Sequence, residues 1–144
     1  MTVRAVLEMK KREVKTIAPD ARLEEAARLL HKEKIGAMPV LDANGAMVGI
    51  LSERDIIHQV ASHGAEALNR QVAQVMTQAV ISVTVDEPLK DLMTTMTSRR
   101  IRHLPVLENG ALKGLVSIGD VIAHRLEKTR TEVNVLRDVA LSMA

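Results

Sequence analysis

One phrase is stated twice in this chain. Gly49 to Ile57 reads GILSERDII, and Gly114 to Ile122 reads GLVSIGDVI. Each is a short apolar run, then a serine, two variable residues, an aspartate and further aliphatics, the grammar of a buried strand passing directly into a helix. A duplicated unit of this kind restricts the fold to two copies of one small α+β motif that must cover each other's sheet faces. The serine and aspartate fall at each junction, where the first backbone N–H groups of a helix lack intrahelical partners and carry partial positive charge. Such a junction holds an anion or a polyhydroxyl. The same Ser-x-x-Asp spacing is also a capping box that needs no ligand, and spacing alone leaves both readings open.

Taken in order, the chain repeats more than this phrase. Val3, Val6 and Leu7 lie at helical spacing and predict a small amphipathic helix or turn over Met1 to Lys11. Val14 to Ile17 reads as a strand, and Asp20 as the N-cap of a helix with Glu24 and Glu25 in its first turns. Leu23, Ala26, Ala27 and Leu30 form its buried stripe. Ala37 to Leu41 and Met47 to Leu51 read as paired strands around a turn at Asp42 to Gly45, and Ser52 opens a helix to about Ser62.

The second copy has Ile81 to Val85 as the strand, Asp86 as the cap and Pro88 in the first helical turn. Leu89, Leu92, Met93 and Met96 are its stripe, and Leu104 to Leu107 with Leu112 to Val116 are its paired strands. Leu23 to Leu89 is a step of 66 and Asp55 to Asp120 a step of 65, so the second hairpin turn is one residue shorter. The expected organisation is a first repeat with its N-terminal segment over 1–61, a linker helix over 62–79, a second repeat over 80–126 and a C-terminal helix over 127–144. The linker's apolar side is Val72, Val75 and Met76. Ile122, Leu126, Val133, Leu136, Ala140 and Met143 recur near heptad spacing with Thr129 interrupting, which fits either a helix packed on its own domain or a dimer seam.

Composition removes several function classes. The 144 residues are 47% apolar, enough for a real core, yet contain no Phe, Tyr or Trp. That core must be aliphatic, with the eight methionines as filler, and single-stranded nucleic acid has no aromatic stacking platform. A net charge of +2 with interspersed signs gives nucleic-acid binding little support beyond the pI near 9.2. Without cysteine there is no disulfide and no thiolate metal site. Met1 to Leu7 is too short and polar for a signal peptide and no apolar run reaches membrane length, so a soluble, cytoplasmic protein without membrane partners is expected. His31, His58, His63 and His124 are scattered and read as surface residues, with no metal set.

With both halves laid out, the chain resembles a tandem pair of CBS domains, the regulatory module named after cystathionine β-synthase. The resemblance is carried by IGAMPVLDANGAMVGILSERD at Ile35 to Asp55 and IRHLPVLENGALKGLVSIGD at Ile101 to Asp120, and it extends over Val14 to Val60 and Val80 to Leu126. It implies two pseudo-two-fold-related β-α-β-β-α repeats with facing small sheets, and two clefts of the kind that bind AMP, ATP, NAD or S-adenosylmethionine. It also implies homodimers. Catalysis is not expected: no Gly-rich phosphate loop, no nucleophile beside a base and no catalytic cofactor site is present. CBS pairs do occur within IMP dehydrogenases, but the catalytic barrel would need about 250 residues.

Carried over residue by residue, the resemblance makes Asp55 and Asp120 the ribose-binding carboxylates and Ser52 and Ser117 the hydroxyls near phosphate. Adenine would lie against elements of the opposite half. This assigns Lys15, Thr16, Ile17, Ile35, Gly36 and Ala37 to the Asp120 cleft, and Ile81, Ser82, Val83 and Ile101 to the Asp55 cleft. Arg102 and His103 stand where the first half has Gly36 and Ala37, at a point where the family often places phosphate-contacting basic residues. Arg54 precedes Asp55 where Gly119 precedes Asp120. The expectation is that the Asp120 cleft, with Arg102 and His103, holds AMP most tightly, while the Asp55 cleft takes NAD or ATP or stays empty. The functional expectation is a non-enzymatic energy or redox sensor. Its rival is a ligand-free dimerisation module regulating a separate effector protein, and a DNA-binding regulator is weaker still.

Overall fold

The computed structural model describes residues 1–143. Its elements run α1 (Val3–Lys10), α2 (Leu23–Glu33), β1 (Ala37–Leu41), β2 (Met47–Ser52), α3 (Glu53–His63), 3₁₀ helices at Gly64–Asn69 and Val72–Gln74, β3 (Val83–Thr84), α4 (Leu89–Arg99), β4 (His103–Glu108), β5 (Ala111–Ser117) and α5 (Ile118–Ser142). This is the doubled α+β architecture expected from the repeat.

The two hairpins share one register. Pro39 faces Ile50 across β1 and β2, and Pro105 faces Leu115 across β4 and β5, each pair antiparallel with one irregularity near the turn. Asn109 and Gly110, at φ 52° and 80°, form the two-residue loop that matches strand twist in the second hairpin. In the first, the Asp42 carboxylate accepts the N–H groups of Asn44 and Ala46. The outer strands are shorter than expected. β3 adds parallel to β4 over Val83 and Thr84 only, and Val14 to Ile17 forms no strand, contributing a single parallel bridge from Ile17 to Val40. Pro19 stands at the place of Val85 and has no N–H with which to extend that ladder.

Two expected caps are also displaced. α2 and α4 begin behind Arg22 and Pro88, neither with a side-chain cap, rather than behind Asp20 and Asp86. Their first donors find backbone partners instead: Leu23 N–H donates to the Arg70 carbonyl and Leu89 N–H to that of Met1, both at 2.9 Å. These contacts belong to an exchange that the shorter repeat did not reveal. Val3-Arg4-Ala5-Val6-Leu7 and Val72-Ala73-Gln74-Val75-Met76 are a further copy at a step of 69. Each lead segment docks on the other half. Val3 donates to Glu87 and Arg4 to Val85, while Val72 donates to Ala21 and Ala73 to Pro19. The 62–79 connection is therefore two 3₁₀ helices that dock into the first half, not a linker α-helix.

The exchange defines the cores. Val3 and Val6, both fully buried, belong to the second half's cluster with Val83, Leu92, Leu104 and Val116; fully buried Val72 belongs to the first half's cluster with Leu23, Met38, Val40 and Leu51. Gly49 and Gly114 lie beneath the lead segments. A Cβ on Gly49 would sit 2.6 Å from Met76 Sδ and 2.8 Å from the Thr77 carbonyl, and one on Gly114 would sit 2.8 Å from Leu7 Cδ2. Met38 and Met96 fill the core, but Met1, Met9 and Met143 are exposed, so methionine is only partly core filler.

α5 is continuous through Thr129. Every described residue from Arg125 onward is exposed, including Leu126, Val133, Leu136 and Met143. Packing on its own domain therefore does not account for this stretch. No helix among the described residues is long and apolar enough to cross a membrane.

Candidate functional site

The ends of α2 and α4 position the site. Each stops at a left-handed residue, Lys34 (φ 55°) or Arg100 (φ 53°). The next N–H, of Ile35 or Ile101, donates back to the Leu30 or Met96 carbonyl. This helix ending delivers an isoleucine and then Gly36 or Arg102 toward the middle of the molecule. The carbonyls of Gly36 and Arg102 accept the first N–H groups of α3 and α5, from Glu53 at 2.9 Å and Ile118 at 3.0 Å. The entry to one strand and the start of the following helix are thus tied together in both halves.

Both helix starts are closed by complete capping boxes. Ser52 Oγ accepts the Asp55 N–H at 3.2 Å while the Asp55 carboxylate accepts the Ser52 N–H at 2.9 Å. Ser117 and Asp120 repeat this at 3.0 and 2.9 Å. Capping is therefore real, and it leaves the remaining carboxylate lone pairs available to a ligand.

Two cavities of about 320 Å³ open at these junctions, within the usual size range of small-molecule sites. The Asp55 cavity draws on both halves. Gly36, Ala37, Ile50, Ser52, Arg54 and Asp55 face Ile81, Arg100, Ile101, Arg102, His103 and Pro105, with Thr77, Ala79 and Val80 at one side. The Asp120 cavity is lined by Ser117, Asp120 and His103 together with Lys15, Ile35, Gly36 and Ala37, and by Leu7, Lys10, Arg12, Glu13, Lys34 and Lys113. A roomier groove, about 850 Å³, lies between α4 and α5 away from both junctions and contains neither capping box.

Arg102 is the main correction. It lines the Asp55 cavity and not that of Asp120, while its carbonyl accepts the Ile118 N–H at the start of α5. His103 borders both cavities. Of the other expected residues, Ile17 and Val83 are buried in the two cores, and Thr16, Ser82 and Gly119 line neither cavity. Residues that the sequence alone did not single out are Lys10, Arg12, Lys34 and Lys113 around Asp120 and Ile50 around Asp55, while Arg100, from the basic run Arg99, Arg100, Arg102, also borders the Asp55 cavity. The repeat between Val3 and Val72 was the available signal, since it aligns Lys10 with Ala79.

The halves meet at Gly36 and His103. A Cβ on Gly36 would lie 3.1 Å from two imidazole atoms. Burial pushes the His103 imidazole below its ordinary value, against the opposing pull of Asp120 and Glu53. Burial acts to raise the Asp120 carboxyl, but the Ser117 N–H and the Lys10 ammonium outweigh it and hold that carboxyl low. Lys10 Nζ lies 2.9 Å from Asp120 and donates to the Leu115 carbonyl at 2.7 Å. Asp55 has no cationic partner among the described residues. No group of three or more His, Asp or Glu among those residues is placed to hold a metal ion.

A tandem α+β repeat with a polar helix start and aliphatic walls in each of two inter-repeat clefts is the architecture of a regulatory ligand-binding module. A family model for the CBS domain matches residues 3–62 and 72–127, and the chain belongs to that family. It is 30% identical over 114 residues to the CBS domain-containing protein YhcV of Bacillus subtilis, covering 79% of this chain and 80% of that one. The crystal structure of the CBS-domain containing protein ATU1752 from Agrobacterium tumefaciens superposes with a TM-score of 0.83 at 44% identity, covering 87% of this chain and 99% of that chain. The CBS domain pair of protein MJ0100, solved with 5′-methylthioadenosine and S-adenosyl-L-methionine, superposes with a TM-score of 0.78 at 26% identity, covering 89% of this chain and 98% of that one.

Proposed function

We propose that this protein is a non-enzymatic regulatory module that binds an adenine nucleotide in the Asp55 cleft, AMP first, with NAD or ATP as larger alternatives. The observation that carries this reading is the convergence, in one cavity, of an Asp55 carboxylate without a salt-bridge partner, aliphatic walls from Ile50, Ile81 and Ile101, and three arginines, Arg54, Arg100 and Arg102, which outnumber the acidic Glu53 on the same wall. A carboxylate accepts hydrogen bonds from both vicinal ribose hydroxyls. The arginines supply forked donors for phosphate oxygens beside the start of α3, and the aliphatic walls sandwich the purine where no aromatic ring exists. The adenosine ligands of the MJ0100 pair support the same class of ligand.

Ligand and assembly are coupled in this reading. Nucleotide bridges the two halves, and the arrangement it favours is the one it binds better. The exposed α5 seam of Leu126, Val133, Leu136 and Met143 supports a homodimer that presents this change to a separate effector in the cytoplasm. The same seam favours the rival reading, a ligand-free interaction module. Titration calorimetry with AMP on the wild type and Asp55→Asn separates them. Asn keeps the cap but loses the charge, so affinity falls about tenfold or more. Absence of any AMP, ATP or NAD binding to the wild type leaves the interaction module standing.

A further inference from the structure

Resting on the nucleotide reading above, we propose that Lys10 is a tethered competitor for the second cleft: its ammonium occupies the Asp120 carboxylate, so the chain binds one nucleotide, at Asp55, rather than two. The two junctions are otherwise near copies, with the same capping box and nearly the same carboxylate hydrogen bond to the serine N–H. Their lead segments differ. In the first half the segment leaves its 3₁₀ helix at Gln74, and Thr77 pairs in both directions with Ile50. Ala79 then borders the Asp55 cavity without a side chain that could reach the carboxylate.

In the second half the corresponding segment continues as α1 to Lys10. Leu7 is wedged over Gly114, and Lys10 lies one turn further on the same helix face. The ammonium therefore points into the cleft from an anchored helix and is held by two acceptors, the Leu115 carbonyl and the Asp120 carboxylate. Its side chain and that of Asp120 are each only 23% exposed, unlike the solvated Arg28–Glu24 pair on α2. The ammonium shares Asp120 Oδ2 with the Ser117 N–H, so a ribose that grips both carboxylate oxygens must displace this cation, and one reaching Oδ1 alone meets its charge alongside. The neighbouring Arg12, Lys15, Lys34 and Lys113 outnumber Glu13 and Glu33 on the same walls and favour phosphate, so Lys10 decides whether that attraction becomes a nucleotide site.

Titration of the full chain with AMP tests the proposal, with far-ultraviolet circular dichroism reporting the fold. The wild type binds one AMP per chain, Lys10→Met binds two, and Lys10→Arg, which keeps the cation, remains at one. Asp55→Ala removes the wild-type site, whereas the Asp55→Ala/Lys10→Met double variant retains one. The gain at the second cleft on removing Lys10 is roughly ten- to a hundredfold. Two equal sites in the wild type, one unchanged site in Lys10→Met, or weaker binding in Lys10→Met because Lys10 serves phosphate instead, each overturns the proposal and leaves the Asp55 reading intact. Failure of every variant to bind AMP overturns both. If Lys10→Met does not fold, the wild-type stoichiometry and Lys10→Gln decide: two wild-type sites, or one in Lys10→Gln, reject the proposal.

Discussion

The exchanged lead segments make the two buried glycines unequal, and Gly49→Ala against Gly114→Ala measures that inequality. Alanine gains about 0.5–1 kcal/mol over glycine by restricting the unfolded chain wherever the fold accepts a methyl group. At Gly114 the methyl meets the end of a flexible leucine, Leu7 Cδ2, which can rotate away. The gain and the local repacking nearly cancel, and the net change is within about 1 kcal/mol. At Gly49 the methyl meets Met76 Sδ and also the Thr77 carbonyl at 2.8 Å. Thr77 is bonded in both directions to Ile50, at 3.0 and 2.9 Å, so its backbone cannot retreat without breaking that bridge. Overpacking of this kind costs about 1–3 kcal/mol, leaving Gly49→Ala less stable by about 1–2 kcal/mol. For 144 residues the unfolding entropy is about 0.3 kcal/mol/K, so Tm falls by roughly 3–7 °C. The chain has no Trp, Tyr or Phe, so the assay is thermal and urea unfolding followed by far-ultraviolet circular dichroism. Met76→Ala in the Gly49→Ala background relieves only part of the loss, because the carbonyl remains. Equal costs at the two glycines, or full rescue by Met76→Ala, would refute the exchange of lead segments as the cause.

Other consequences are independent of that pair. Because burial lowers His103 below 6.5, its imidazole titrates late by NMR, and the unfolded chain takes up a proton before the folded one; stability therefore falls as pH drops from 6.5 toward the folded value. A rise in stability over that interval contradicts the burial. Asp120 has the depressed value usual for a paired carboxylate, so its contribution is present above the ordinary carboxylate range and is lost as pH falls through the folded value; Lys10→Met flattens that acid limb of the urea-midpoint profile. Ser52→Ala removes the side-chain half of a cap and costs about 1 kcal/mol in urea unfolding. If the proposed homodimer forms through α5, Leu136→Asp, which places a charge in the exposed seam, converts it to monomer by light scattering, while an unchanged mass excludes that seam as the contact.

Much of this architecture was legible because burial repeats with the phrase. Leu23, Leu30, Leu89 and Leu92 are buried as their spacing requires, and strand β1 begins and ends at the expected Ala37 and Leu41. Ser52 and Ser117 do cap α3 and α5. What local patterns do not report has a common cause: groups brought from elsewhere in the chain. Asp20 and Asp86 look like caps by composition, but the Arg70 and Met1 carbonyls take the first helix donors, and no local pattern reports that. Arg102 occupies the repeat position of Gly36 yet lines the other cleft, because cleft membership depends on how the halves are joined and not on sequence adjacency. Lys10 lies outside the phrase altogether and enters the site only because α1 crosses to the second half.

Under the proposed function, a purine sits between aliphatic side chains in the Asp55 cleft. Methyl NMR tests it directly, since isoleucine methyl groups line that cleft from Ile50, Ile81 and Ile101. With AMP added, cross-relaxation is expected between the adenine ring protons and those three residues, and is expected to vanish in Asp55→Asn at the same ligand concentration. Adenine contacts confined to Ile35 and Leu115 of the other cleft, or to no methyl group at all, would contradict the claim.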